Sequence, residues 1–456
     1  YGVYGDYMPD LFAHAGDTFP GLCTSIFYKS DGVFGIMANV LATYVILFVL
    51  FGAFLEKSGA QRFFIDFPLA AVGHRIGGPA KVSVIASGLF GSISGSAIAN
   101  TVSTGAFTIP MMKKAGFRPH IAGGIEPAAS ISGMFMPPIM GAGGFIMAEL
   151  TGVPYSRIML VAIFPAIMYV FSVFIMVHYE AKKYNIKSEK SEHSAMEILK
   201  TQWYYIMPLV MITILMLYGF SPGYSAILGI VTCLVISWFK TDTRITPKRF
   251  IEASRAGTEN SLKIGATVGV IGIIIGVLTY SGLVLTFADI VIELASGAVF
   301  FGIDFRLVAT IFLIALASLV LGMGVPVTAA YLITAVVAVP ALIHLGVNEI
   351  AAHMIVYWLS QDSNITPPVC IAAFAGATIA KANMWRTAFA AFKFAKFLYL
   401  GPFLFGYVPG FSLNGSSWDI IKAFVLIILG TYAYSYVLSG IWIKQLRGGF
   451  KKAPAS

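Results

Sequence analysis

Residues Gly88 to Phe145 constrain this chain more than any other stretch. They contain GLFGSISGSAIANTVSTGAFTIP, a basic turn, and then EPAASISGMFMPPIMGAGGF. No Lys, Arg, Asp or Glu occurs from Val82 to Met112. Both runs are apolar enough for a bilayer, yet each is interrupted by small polar residues or paired prolines. A plain membrane anchor would not accept such breaks. Irregular backbone inside a membrane is tolerated only where it is buried in protein or lines a cavity. Interrupted apolar segments in matching positions of two halves point to a transporter binding site.

Composition sets the class. The 456 residues are 58% hydrophobic and 11% charged, well under half of the roughly 25% charge of soluble domains. The chain therefore reads as an all-α polytopic membrane protein. A net charge of +9 would suggest nucleic acid in a soluble protein, but here basic loops set topology. Cys23, Cys233 and Cys370 form no CxxC pair, so neither a disulfide framework nor a metal site is expected. No HExxH, phosphate loop or nucleophile elbow is present, which argues against an enzyme. The chain begins at Tyr1 without a visible signal peptide, as expected of a piece of a longer protein.

In order, residues 1–32 read as an external lead-in. A span at 33–55 is followed by an amphipathic interfacial arm at 62–76. Two short arms at 79–92 and 96–112 meet at Ser94-Gly95, predicting a re-entrant hairpin. Half-helices at 119–133 and 138–151 flank Pro137-Pro138, and a span returns at 157–178. A connector at 179–262 carries two scaffold spans, 203–220 and 223–239.

The pattern then recurs. Pro340, Gly346, Pro367 and Pro368 lie 230 residues after Pro110, Gly116, Pro137 and Pro138. The same shift carries repeat 33–178 onto 263–408, with a hairpin at 307–345 and a broken helix at 349–381. A last span and tail occupy 409–456. Of the 30 basic residues, 26 fall in alternate loops that must then be cytoplasmic; Lys29, Arg157, Arg306 and Lys422 remain outside. The turn Lys113–Arg118 is basic, whereas its counterpart His344–Glu349 has no Lys or Arg. The repeats are therefore inverted, and the C-terminus is cytoplasmic.

Candidate binding groups follow from the breaks. The first tip offers Ser92, Ser94, Gly95, Ser96, Asn100 and Thr104, and the second Gly322, Gly324, Pro326 and Thr328. Ser132 precedes Pro137-Pro138; Asp362, Ser363, Asn364 and Thr366 precede Pro367-Pro368. Helix N-termini near Ser96, Ile139 and Val369 attract carboxylates without a buried Arg. Unwound carbonyls and hydroxyls suit Na⁺ or a proton-linked water. Close helix packing alone would also favour small residues at such tips. Glu126 is either a coupling carboxylate or the structural partner of a basic turn. Asp362 stands beside the second break and is a candidate for coupling. His344 and His353 read as packing residues.

At these residues the chain resembles the large membrane subunit of TRAP (tripartite ATP-independent periplasmic) transporters, and most closely the TAXI branch. The resemblance rests on FGAFLEKSGA (Phe51–Ala60), FGSISGSAIANTVSTGAFTIPMMKKAG (Phe90–Gly116), MPPIMGAGGFIMAE (Met136–Glu149), LGMGVPVTAAY (Leu321–Tyr331) and ITPPVCIAAFAGA (Ile365–Ala377). It departs at Ser132-Gly133-Met134, where the family often has Gly-Gly-Gln. The resemblance implies an elevator fold of the ion-transporter superfamily in the bacterial inner membrane. It implies a periplasmic TAXI-type binding protein and a small four-helix membrane domain, fused upstream or separate. It further implies small carboxylates such as 2-oxoglutarate or glutamate as cargo, Na⁺ or H⁺ as driver, and no organic cofactor. Two alternatives are a symporter of the same superfamily without a binding protein, and a non-transporting scaffold or channel.

Overall fold

The computed structural model describes residues 2–9, 13–29, 32–186, 194–300 and 303–442. Seven helices among these are long and apolar enough to cross a bilayer. The only strands among the described residues are the two-residue pair Val299–Phe300 and Ile303–Asp304.

The lead-in carries a helix, Phe19–Tyr28, whose first turn is capped by Thr18 accepting from the Gly21 N–H at 3.2 Å. It folds onto the end of a long helix, Pro247–Tyr280, where the Tyr280 hydroxyl donates to Asp17 at 2.5 Å. The first span follows as Ile36–Val40, Leu41–Val45 and Ile46–Lys57, without a break. Its middle segment is a π-helical turn, a wide turn often found at functional sites. The amphipathic arm Ala60–Val72 lies against the next helix.

The first hairpin consists of Gly78–Ser94 and Ala97–Lys114. The second consists of Arg306–Leu321 and Val327–His344. Both second arms are 18 residues long and begin 230 apart. The arms reach about 26 Å at 1.5 Å per residue, most of a ~30 Å layer rather than half of it. Gly95 turns the first tip with φ +57, and a Cβ there would stand 2.9 Å from the Gly141 Cα. Glycine is therefore required both for the left-handed turn and for the close approach.

The broken helices also match. Pro119–Ser130 continues through a 3₁₀ turn at Ile131–Met134 and resumes at Gly141–Thr151. Glu349–Leu359 continues through Asp362–Asn364 and resumes at Ile371–Ala380. Both Pro-Pro bonds are cis. The repeats are inverted in the packing as well. Lys113, in the first hairpin's turn, donates to the Ala380 carbonyl at 2.8 Å, at the end of the second broken helix. Arg118 of the same turn lies 5.0 Å over the Tyr184 ring. Repeats of one orientation would instead place the two hairpin turns side by side.

Two boundaries differ from expectation. The helix expected from residue 263 begins at Pro247, because Thr246 caps it and Pro247 suits a first helical position. The span expected at 387–408 is two helices, Met384–Phe394 and Phe397–Tyr407, interrupted at Ala395-Lys396. The connector helices Met207–Leu217 and Pro222–Ser237, and the last helix Ser417–Ser439, fall where apolar segments were expected; a further helix, Ala195–Gln202, precedes the expected span at 203–220.

The core is where the two breaks dock. Phe135, from the first, stacks on Trp358 of the second at 4.3 Å. Tyr169 meets Phe135 edge-on at 5.4 Å, and Tyr357 does so at 6.3 Å. All four rings are buried. Such contacts lock the repeats together with aromatic area and geometry rather than charge.

Candidate functional site

A cavity of about 520 Å³ lies between the hairpin tips and the first span. Ser94, Gly95 and Ser96 reach it from one tip; Gly322, Gly324, Pro326 and Thr328 reach it from the other. Ser363 and Asn364 contribute from the second break, and Ile139, Gly141 and Ala142 from the first. Residues more than 260 positions apart thus share one hollow.

Three helix beginnings border it. Ser96 caps Ala97–Lys114, accepting from the Ala99 N–H at 3.3 Å. Val327–His344 starts after Pro326, and Ile371–Ala380 starts at a residue that lines the cavity. Their unpaired N–H groups and dipoles favour an anion. The Ser94 hydroxyl, also at the cavity, has no partner among the described residues.

Other expected site residues do not line the cavity. The Ser92 hydroxyl donates to the Leu89 carbonyl at 2.7 Å. Asn100 donates to the Ser87 and Ser130 carbonyls at 2.8 and 3.2 Å, tying the hairpin to the first broken helix. Ser132 donates to Ala129 at 2.6 Å. Pro137 and Pro138 lie at the break itself. Its freed carbonyls are taken: Tyr155 donates to Pro138 and Ile139, at 2.8 and 2.7 Å. Tyr357, from the other repeat, donates to Met134 and Met140 at 2.7 and 2.5 Å.

The second break is satisfied less completely. The Gln361 amide N–H donates to Tyr357 at 3.2 Å, and that of Asn364 to Gln361 at 3.3 Å. Thr366 shares a 2.5 Å hydrogen bond with the Tyr399 hydroxyl. Gln361 Oε1 and Asp362 Oδ1 are buried acceptors without a hydrogen-bond partner among the described residues. Asp362 is 2% exposed and does not line the cavity, nor do Pro367 and Pro368. Buried acceptors left open are costly.

Glu126 is fully buried in a cage of hydroxyls. Ser83 donates to Oε2 at 2.5 Å and Ser87 to Oε1 at 2.6 Å. Ser130 reaches Oε1 at 3.3 Å, and Thr104 and Thr108 complete the shell. No basic side chain pairs with it among the described residues. The basic turn expected as its partner instead caps Ala380 through Lys113. The carboxylate thus holds both hairpin arms onto the first broken helix. His353 accepts or donates a 2.9 Å bond with Tyr331, which agrees with a packing role.

Sequence reasoning missed the far wall. Ala256, Asn260, Lys263 and Ile264 line the cavity from the long helix; Val45, Phe48, Val49, Gly52, Ala53 and Glu56 line it from the first span. The charge pattern counts Lys263 with the cytoplasmic basic residues at the expected start of a span, whereas the helix already begins at Pro247. Spacings of four, seven and eight residues from Ala256 were the available signal of a single helical face.

The family profile described as "Tripartite ATP-independent periplasmic transporter, DctM component" matches residues 25–411. The chain belongs to this family. It is a multi-pass membrane transporter component and not an enzyme. It is 25% identical to the C4-dicarboxylate TRAP transporter large permease protein DctM of Pseudomonas aeruginosa, over 87% of this chain and 93% of that one. It is 23% identical to the sialic acid TRAP transporter permease protein SiaT of Haemophilus influenzae, over 73% and 52%. The fold also resembles the crystal structure of the Alcanivorax borkumensis YdaH transporter, with a TM-score of 0.57 and 16% identity over 85% and 90%. That likeness extends the shared architecture beyond recognisable sequence.

Proposed function

We propose that this permease imports small carboxylates through an elevator movement of its two hairpins and two broken helices. The observation that carries the reading is the cavity bordered by both hairpin tips and three helix beginnings. Such a site favours an anion and draws equally on both repeats. A periplasmic binding protein of the TAXI type delivers the cargo, and a small four-helix membrane domain completes the assembly. 2-Oxoglutarate and glutamate are the proposed cargo. The protein sits in the bacterial inner membrane with its basic loops, and its C-terminus, in the cytoplasm.

Na⁺ or H⁺ supplies the driving force. Asp362 and Gln361, with their open acceptors, are the proposed coupling point. A bare carboxylate at membrane depth costs about 2.5–3.5 kcal/mol on insertion scales, which a bound cation or proton would offset. The test is uptake of labelled glutamate and 2-oxoglutarate into proteoliposomes, with binding protein present or absent, under separate Na⁺ and pH gradients. Uptake is expected only with the binding protein and one of the gradients. Saturable uptake without any binding protein would replace this reading by a simple symporter. Asp362→Asn should fold, still receive the binding protein, and lose most gradient-driven uptake. Unchanged uptake with the same ion dependence would remove Asp362 from coupling.

A further inference from the structure

Among the described residues, two charged ones line the cavity, Glu56 and Lys263. They occupy different depths. Glu56 adjoins Lys57, which pairs with Glu252 at 3.7 Å. Lys263 follows Glu252 by 11 residues on one helix, about 16 Å at 1.5 Å per residue. Glu56 therefore marks the rim, and Lys263 lies deeper. The helix register confirms that depth: Gly257 packs on Leu50 and Gly265 on Leu41 of the first span. Lys263 thus falls level with the π-helical turn Leu41–Val45.

Lys263 is exposed to the hollow and has no ion-pair partner among the described residues. Lysines at such depth are usually paired or serve a pathway. The opposite wall holds the beginnings of Ala97–Lys114 and Val327–His344. An anion in the cavity would then have helix dipoles on one side and an ammonium on the other.

We propose that Lys263, with Asn260 one turn before it, forms the static wall of the anion site and binds a carboxylate of the transported molecule. The inference rests on the transporter reading above and deepens it. The hairpin tips travel with the cargo, whereas Lys263 belongs to a helix outside the moving pieces. It can reach the cargo only in the conformation in which the cavity faces the Glu56 rim. Its charge therefore governs release and rebinding at that face, and leaves capture at the opposite face untouched.

The test begins with equilibrium binding of labelled 2-oxoglutarate, glutamate and succinate to the purified chain in detergent. A charge-assisted contact of ordinary strength corresponds to about tenfold or more in affinity. Lys263→Gln should weaken binding by that factor, and Lys263→Arg should stay within about threefold of the wild type because the charge is kept. Thermal midpoints of both variants serve as the folding control. In proteoliposomes, Lys263→Gln should raise the KM for exchange at the Glu56 face, and Lys263→Arg should restore it, a charge rescue that a merely structural lysine would not give. Wild-type affinity in Lys263→Gln overturns the inference. So does a wild type that binds none of the three anions yet takes them up with the binding protein. Failure of both binding and uptake overturns the carboxylate reading as well.

Discussion

Removing one oxygen from Tyr357 tests what allows the first helix to break. The Tyr357 ring is fully buried, and its hydroxyl reaches the Met134 and Met140 carbonyls at 2.7 and 2.5 Å. A hydroxyl has a single proton, so the two contacts share one hydrogen bond. Tyr357→Phe keeps the ring against Phe135 and Tyr331 and leaves that bond unmade. The cost of an orphaned buried acceptor is about 1–3 kcal/mol. Each kcal/mol shifts a melting midpoint by about 2–4 °C for a unit of 150–250 residues, and by less in a longer chain. The purified variant should therefore melt a few degrees lower in mild detergent. Adding Tyr155→Phe should lower it further, since Tyr155 serves the neighbouring Pro138 and Ile139 carbonyls. Melting of the double variant within error of the wild type would refute the claim that tyrosine hydroxyls satisfy the break.

Three further outcomes are expected. A Cβ on Gly133 would stand 2.3 Å from the Gly91 Cα, so Gly133→Ala should cost about 1–3 kcal/mol or more by overpacking; Gly269→Ala, with nothing within 4 Å, should be neutral or slightly stabilising, and equal expression and melting of the two would contradict the packing. Single cysteines beside Lys114 and Gly346 should react with impermeant reagents from opposite sides of the membrane; labelling from one side would rule out inverted repeats. Glu126→Ala should unfold or melt far below the wild type, because five hydroxyls lose their shared acceptor; a stable variant altered only in ion dependence would return Glu126 to the coupling role.

The repeating architecture was legible in the residue order alone. Apolar length, paired prolines and the 230-residue offset are local or periodic signals, and they located both hairpins and both breaks within a few residues. Charge asymmetry gave the inversion, since basic residues cross the bilayer poorly wherever they fall in the chain. Tertiary structure decided the fate of the polar groups. Asn100, Thr104 and Ser132 have the same composition signature as Ser94 and Ser96, yet they bond within the core while Ser94 and Ser96 face the hollow. The Tyr357 bonds join residues 217 and 223 apart, a separation no local pattern encodes. Lys263 counted as one more cytoplasmic basic residue until the helix from Pro247 turned it toward the hairpin tips. Hydrophobic periodicity places segments in the membrane, but each buried donor and acceptor must find its partner wherever the packing brings one.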